Sequence, residues 1–231
     1  MSQITRLFDF PYYQLNTYPL NKAISSKIDG QWKAYSTQEY LDLANRFSKG
    51  LISLGIQKGD KIAIITSNNR SEWNICDIGI LQTGALTVPI YPTISAEDYQ
   101  YIIDHAEATY CIVSDQVIYD KLISVKNQLP NLKEIYSFET IAGCKHWSEI
   151  LNLDAANANE ALLEQAKQNV AAHDAATIIY TSGTTGRPKG VLLTHNNIVS
   201  NVLMSFERVP LSLGNDGALS FLPCCHIFER M

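Results

Sequence analysis

Thr181-Ser182-Gly183-Thr184-Thr185-Gly186-Arg187-Pro188-Lys189-Gly190 is the stretch on which the reading of this chain turns. Ala175-Ala176-Thr177-Ile178-Ile179-Tyr180 comes before it and Val191-Leu192-Leu193-Thr194 after it. Both flanks are short and apolar, so the segment reads as a loop slung between two strands. Its glycines let the main chain approach a ligand closely, and successive backbone N–H groups in such a turn form a nest for an anion. Thr181, Ser182, Thr184 and Thr185 add hydroxyl donors, and Arg187 and Lys189 add positive charge. The sum is a site for a polyphosphate. It is not a Walker loop, because Pro188 precedes Lys189 and Gly190 follows it, where that motif needs Gly-Lys-Ser/Thr.

Working outward, strands and helices alternate. Ser36 and Glu39 fit a capping box, and apolar residues recur at helical spacing from Tyr40 to Leu54. Strands are predicted near 61–65, 86–90, 109–113, 133–137 and 176–181. Helices are predicted over 71–84, from Ser95 to Ala106, over 116–128, near 147–151, near 159–170 and over 195–208. A last strand is predicted over 217–222. The strands are apolar runs rather than alternations, as in sheets buried on both faces. The fold class is therefore α/β, a mainly parallel sheet with helices on both faces. The loop, with three glycines and few apolar side chains, is expected to be mobile over 182–189 without nucleotide.

Composition narrows the function. The chain has 231 residues, 46% of them hydrophobic, and a formal net charge of −5. That charge, with no dense basic run, argues against a nucleic-acid partner. Five cysteines at 76, 111, 144, 224 and 225 make no CxxC pair, which favours reduced thiols and a cytoplasmic setting over disulfides or a zinc site. The N-terminus lacks the apolar core of a signal peptide, and no stretch reaches the length of a membrane span. Tyr12, Tyr13 and Tyr18 beside Pro11 and Pro19 leave peripheral membrane contact open, with packing of the N-terminal arm onto the domain as the favoured role. Trp73 reads as helix–sheet packing, His195 as capping or packing the next helix, and His105, His146 and His173 lack metal-ligand spacing.

Tyr180–His195, YTSGTTGRPKGVLLTH, closely resembles the phosphate-loop signature of the adenylate-forming enzymes, which include acyl-CoA synthetases, luciferases and peptide-synthetase adenylation domains. Ser220–Arg230, SFLPCCHIFER, resembles the LPxxHxFER segment of long-chain fatty acyl-CoA synthetases, and Ser67–Thr93 resembles an early part of the same enzymes. The resemblance runs from about Gln31 to Met231. It implies residues 1–231 as a partial N-terminal AMP-binding domain, with 1–58 an N-terminal helical segment and 59–231 the first sheet subdomain carrying the phosphate loop 181–190. The family's magnesium-binding glutamate, ribose-binding aspartate, hinge and C-terminal lysine have no counterpart here, so a fragment lacking the C-terminal domain is expected.

The resemblance also implies a chemistry. A long-chain fatty carboxylate attacks the α-phosphorus of ATP to give an acyl-adenylate and pyrophosphate, and coenzyme A then displaces AMP. Thr181, Ser182, Gly183, Thr184, Thr185, Gly186 and Lys189 would hold the β- and γ-phosphates, with Lys189 and Thr184 assisting catalysis and Thr184 also meeting Mg2+. His226 would sit where the acyl carboxylate meets the adenylate. Phe228 is assigned to the pocket wall, and Glu229 and Arg230 to a structural ion pair or helix-start contact. The pair Cys224-Cys225 departs from the small residues common in the family, which leaves acyl chain length undetermined. An acyl-AMP ligase, another adenylate-forming enzyme, or a fragment that only binds nucleotide or serves assembly remain as alternatives.

Overall fold

The computed structural model describes residues 4–28, 30–154, 158–181, 186–209 and 212–230. Its helices are α1 (Asp9–Thr17), α2 (Thr37–Ser53), α3 (Ser71–Gln82), α4 (Ala96–His105), α5 (Gln116–Ile123), α6 (Ser148–Asn152), α7 (Glu160–Gln168), α8 (His195–Phe206) and α9 (Ile227–Arg230). Its strands are β1 (Ile24–Ile28), β2 (Gln31–Tyr35), β3 (Lys61–Ile65), β4 (Leu86–Ile90), β5 (Tyr110–Val113), β6 (Glu134–Ser137), β7 (Lys145–His146), β8 (Ala175–Thr181) and β9 (Lys189–Thr194).

Strands β3 to β9 form one sheet in the order β7-β6-β5-β3-β4-β8-β9. Every pairing is parallel except that of β8 with β9, which is antiparallel and places the glycine-rich loop at a sheet edge. The α/β, mainly parallel architecture expected from the sequence is present. Period-two alternation in β3 shows why both faces are apolar. Ile62 and Ile64 join Phe47, Trp73 and Trp147 on one side, whereas Ala63 and Ile65 join Val88, Tyr99 and Ile102 on the other. Trp73 is 2% exposed, in the helix–sheet packing role read from the sequence.

The helix α2 starts at a full capping box between Ser36 and Glu39 and lies against α3. The contact is close because Gly79 carries no side chain: a Cβ there would stand 2.8 Å from the Phe47 ring and 3.0 Å from the Ala44 carbonyl. α3 is buried almost all round, between α2 and the sheet, which explains why its apolar residues show no clean stripe.

Three features depart from the sequence reading. The first 58 residues are not purely helical: β1 and β2 make an antiparallel hairpin with Ile28 opposite Gln31. Residues 217–222 form no strand. Leu219 and Phe221 are each 75% exposed, and the side chain of Asn69, rather than a neighbouring strand, takes the hydrogen bonds of this stretch. Glu229 and Arg230 do not pair with each other. Glu229 accepts from the Leu222 N–H at 3.1 Å, and Arg230 binds Asp77 through two nitrogens at 2.6 and 2.9 Å. The mobility expected of 182–189 falls largely on Ser182, Gly183, Thr184 and Thr185, which lie outside the described residues.

Candidate active site

In parallel α/β sheets the crevice beyond the carboxyl ends of the strands is the usual ligand site. Here a cavity of about 600 Å³ opens at those ends, between the last residues of β4 and β8. Ile90 and Thr181 mark the two strand ends, Gly186 and Pro188 bring in the returning loop, and Cys225 and His226 come from the segment before α9. The sequence places Thr181 and His226 forty-five positions apart; the fold brings both to the lining of one cavity.

Gly186 has φ +93°, a left-handed conformation that side chains resist, so the return of the loop requires glycine there. Lys189 is exposed and sits across the β8–β9 ladder from Thr181. It makes no ion pair with any described residue, and it does not line the cavity wall. Ser182, Gly183, Thr184 and Thr185, four of the residues assigned to phosphate, lie outside the described residues.

The imidazole of His226 is held by its own turn. Its Nδ1 accepts from the Phe228 N–H at 3.3 Å, and its backbone N–H donates to the Pro223 carbonyl at 2.8 Å. An accepting Nδ1 places the proton of neutral histidine on Nε2. In that tautomer Nε2 is the donor of the ring. Phe228, assigned to the pocket wall from the resemblance, does not line this cavity: it is 65% exposed, and Ile227 is among the lining residues. Alternation along this short turn separates the two.

The two cysteines also divide. Cys224 enters the core with Trp73 and Ile75, while Cys225 lines the cavity. Burial pushes both thiols up to about 12, so they are protonated and apolar rather than nucleophilic, Cys224 in the core and Cys225 at the cavity.

Sequence reasoning missed a cluster behind the loop. The Tyr180 hydroxyl meets His105 Nδ1 at 2.7 Å, and the His105 ring lies 5.4 Å from that of Tyr101. The Arg187 guanidinium stacks over Tyr101 at 5.2 Å. Arg187 is thus placed against α4 as well as charged. Tyr101 and His105 stand four apart on one helix face, a spacing that could have linked them, but nothing local ties them to Tyr180.

His195 is 1% exposed, and its Nδ1 accepts from the Leu7 N–H at 3.1 Å. Burial first, then the nearby Arg230 and Arg6 guanidinium groups, lower its pKa to about 4. It pins the N-terminal arm to the start of α8, a structural role.

Comparison with known proteins agrees with this geometry. The α/β, mainly parallel sheet matches the N-terminal domain of adenylate-forming enzymes in fold. The AMP-binding enzyme profile matches residues 12–231, and the chain belongs to that family. It is 33% identical over 225 residues to the long-chain-fatty-acid–CoA ligase ACSBG2 of Xenopus laevis, covering 94% of this chain and 30% of that protein. It is 36% identical over 205 residues to the long-chain-fatty-acid–CoA ligase FadD15 of Mycobacterium bovis, covering 88% of this chain and 34% of that protein. The chain thus spans about a third of the length of these relatives. Among solved structures, the N-terminal domain of FACL13 from Mycobacterium tuberculosis superposes with a TM-score of 0.75 at 20% identity, over 98% of this chain and 54% of that one. ATP-bound MatB from Rhodopseudomonas palustris gives 0.75 at 24% identity, over 98% and 42%. At these identities the structures speak for the fold.

Proposed function

We propose that the protein carrying this chain is an AMP-forming long-chain fatty acid–CoA ligase, and that residues 1–231 are the first part of its large N-terminal domain. The observation that supports this most is the cavity at the carboxyl end of the sheet that Thr181, Gly186 and His226 all line. The family and the named ligase relatives agree with it.

On this reading ATP lies with its β- and γ-phosphates in the loop 181–190. The hydroxyls of Thr181, Ser182, Thr184 and Thr185, the backbone amides around Gly183 and Gly186, and the Lys189 ammonium take up the charge of the departing pyrophosphate. Preorganised donors of this kind stabilise charge as it develops, without reorganisation during the reaction. His226 Nε2–H donates to an oxygen where the fatty carboxylate meets the α-phosphate. That hydrogen bond orients the attacking carboxylate and offsets the repulsion between two anions. Ile90, Ile94 and Ile102 add apolar surface to the cavity lining, which would limit water near the mixed anhydride.

Magnesium would meet Thr184. That residue lies outside the described ones, and among the described residues no group of three His, Cys, Asp or Glu side chains is placed to hold a metal ion. The roles given above to the loop and to His226 are those of protein groups alone. Coenzyme A is the acceptor in the second half-reaction. A cytoplasmic setting accords with five unpaired cysteines. Among the described residues no helix is long and apolar enough to cross a membrane. Contact with a membrane surface, from which long-chain acids would be drawn, is part of the proposal.

The test is thioester formation by the full-length protein from palmitate, ATP and coenzyme A, with AMP and pyrophosphate as co-products. Palmitoyl-CoA with equimolar AMP is expected. Release of palmitoyl-AMP with no thioester would reassign the protein as an acyl-AMP ligase, and failure to consume ATP with any fatty acid would overturn the proposal.

A further inference from the structure

The segment that delivers His226 to the cavity is irregular: residues 217–223 belong to no helix or strand, and α9 is a single turn. The turn orients the imidazole locally, but the stretch before it has no ladder of its own to set where that turn stands. Its position is set from outside, at two points.

The first point is Asn69, in the loop between β3 and α3. Its Nδ2 donates to the Leu222 carbonyl at 2.7 Å and to Ser220 Oγ at 2.6 Å. Its Oδ1 accepts from the Cys224 N–H at 3.2 Å. One amide thus spans the chain from Ser220 to Cys224 and takes both a donor and an acceptor of the main chain. Because a backbone carbonyl can only accept and an N–H only donate, these partners allow one orientation of the amide. The loop that carries Asn69 is itself fixed: the Ser67 N–H donates to Ser114 Oγ at 3.0 Å and Ser67 Oγ to Asp115 at 2.6 Å.

The second point is Asp77, on α3. Its carboxylate is 7% exposed and receives the Arg230 guanidinium, itself 3% exposed, in a two-toothed ion pair. The Thr87 hydroxyl donates to the same carboxylate at 2.6 Å, which ties the pair to β4. The Trp73 ring lies 5.7 Å below the guanidinium. His226 therefore stands between two clamps, both carried by α3 and the loop that leads into it.

We infer that Asn69 is a positioning residue for His226, with Asp77 fixing the far end of the same segment. Asn69 acts on the adenylation step through the imidazole and not through substrate. The inference rests on the proposed role of His226. It goes beyond that role by assigning function to a residue that the loop motif and the histidine segment do not contain.

The experiment is a double-mutant cycle in the full-length protein, read as palmitate-dependent ATP–pyrophosphate exchange. Wild type, Asn69→Ala, His226→Ala and the double variant are compared, together with Asn69→Asp. Asn69→Asp keeps the size and the acceptor for the Cys224 N–H but loses both Nδ2 donations. The expected result is a fall of about tenfold in kcat/KM for palmitate in Asn69→Ala, with KM for ATP changed by less than about twofold. Asn69→Asp, which sets a carboxylate oxygen against the Leu222 carbonyl, falls at least as far as Asn69→Ala. In the His226→Ala background Asn69→Ala costs less than about twofold, since the group it positions is gone. An equal cost in both backgrounds would overturn the inference, because Asn69 would then act on stability or another group. A normal Asn69→Ala beside an impaired His226→Ala would overturn it while leaving the His226 reading intact. A normal His226→Ala would remove that reading, and the inference with it.

Discussion

Lowering the pH from 7 to 5 should destabilise the protein through one buried group, His195. In the folded chain its pKa is lowered to about 4, by burial first and then by the Arg230 and Arg6 guanidinium groups; Asp9 and Asp174 act weakly in the opposite direction. In the unfolded chain it titrates near the ordinary value of about 6.5. Between those values the unfolded state binds more protons than the folded one, so stability rises with pH across the window and falls as pH drops from about 6.5 toward about 4. Integrating from pH 7 to 5 gives a loss of about 2 kcal/mol, and the whole window is worth about 3 kcal/mol. The geometry requires the same sign, since Nδ1 accepts from the Leu7 N–H and a protonated ring has no acceptor to offer. Carboxylates with lowered values, Asp9, Asp115, Asp174 and Glu134, lose their contribution only below the ordinary carboxylate range, outside the upper part of this window. The assay is urea unfolding followed by circular dichroism at several pH values, on wild type and on His195→Gln. Wild type should lose about 2 kcal/mol between pH 7 and 5, and the variant, less stable at pH 7, should lose much less. Parallel curves for the two proteins would refute the reasoning.

Gly50→Ala should be among the most damaging small substitutions, because a Cβ there would lie 1.9 Å from the Ile150 carbonyl oxygen where α2 meets α6. A loss of about 3 kcal/mol in urea unfolding is expected, and a loss under about 0.5 kcal/mol would contradict that packing. A polypeptide of residues 1–231 by itself should show no fatty-acid-dependent ATP–pyrophosphate exchange above background. Among the described residues there is no group of three metal-ligating side chains beside the cavity, so the in-line geometry is not expected to be held by this stretch alone. Exchange at the full-length rate would contradict this.

Much of the fold was legible because its signals are local. The capping box at Ser36 and Glu39, the cap at Ser95, and the apolar runs at 61–65 and 86–90 mark their own elements. The β1–β2 hairpin was missed although Asp29-Gly30 is a strong turn signal, because the strands flanking it are mostly polar and exposed. The false strand at 217–222 came from Leu219 and Phe221, whose apolar side chains face outward. Within the site, Thr181, Gly186 and His226 were found through motifs. Asn69, Asp77 and the Tyr101–His105–Tyr180 cluster were not, because their partners lie far away in sequence and only the folded sheet brings them together. The Arg230–Asp77 pair replaced the expected Glu229–Arg230 contact for the same reason: neighbours on a short turn point apart.

The central claim is that the loop after β8 and the histidine before α9 act on one adenylation reaction. Palmitate-dependent ATP–pyrophosphate exchange, measured on full-length wild type, Lys189→Ala, Thr184→Ala and His226→Ala, tests it most directly. Exchange should fall about a hundredfold in each variant, as for removal of one donor to developing charge. In His226→Ala the loss should appear against palmitate while nucleotide binding stays close to wild type. In Lys189→Ala and Thr184→Ala it should appear against ATP and pyrophosphate. Unchanged exchange in Lys189→Ala and Thr184→Ala, or an unimpaired His226→Ala, would contradict the account.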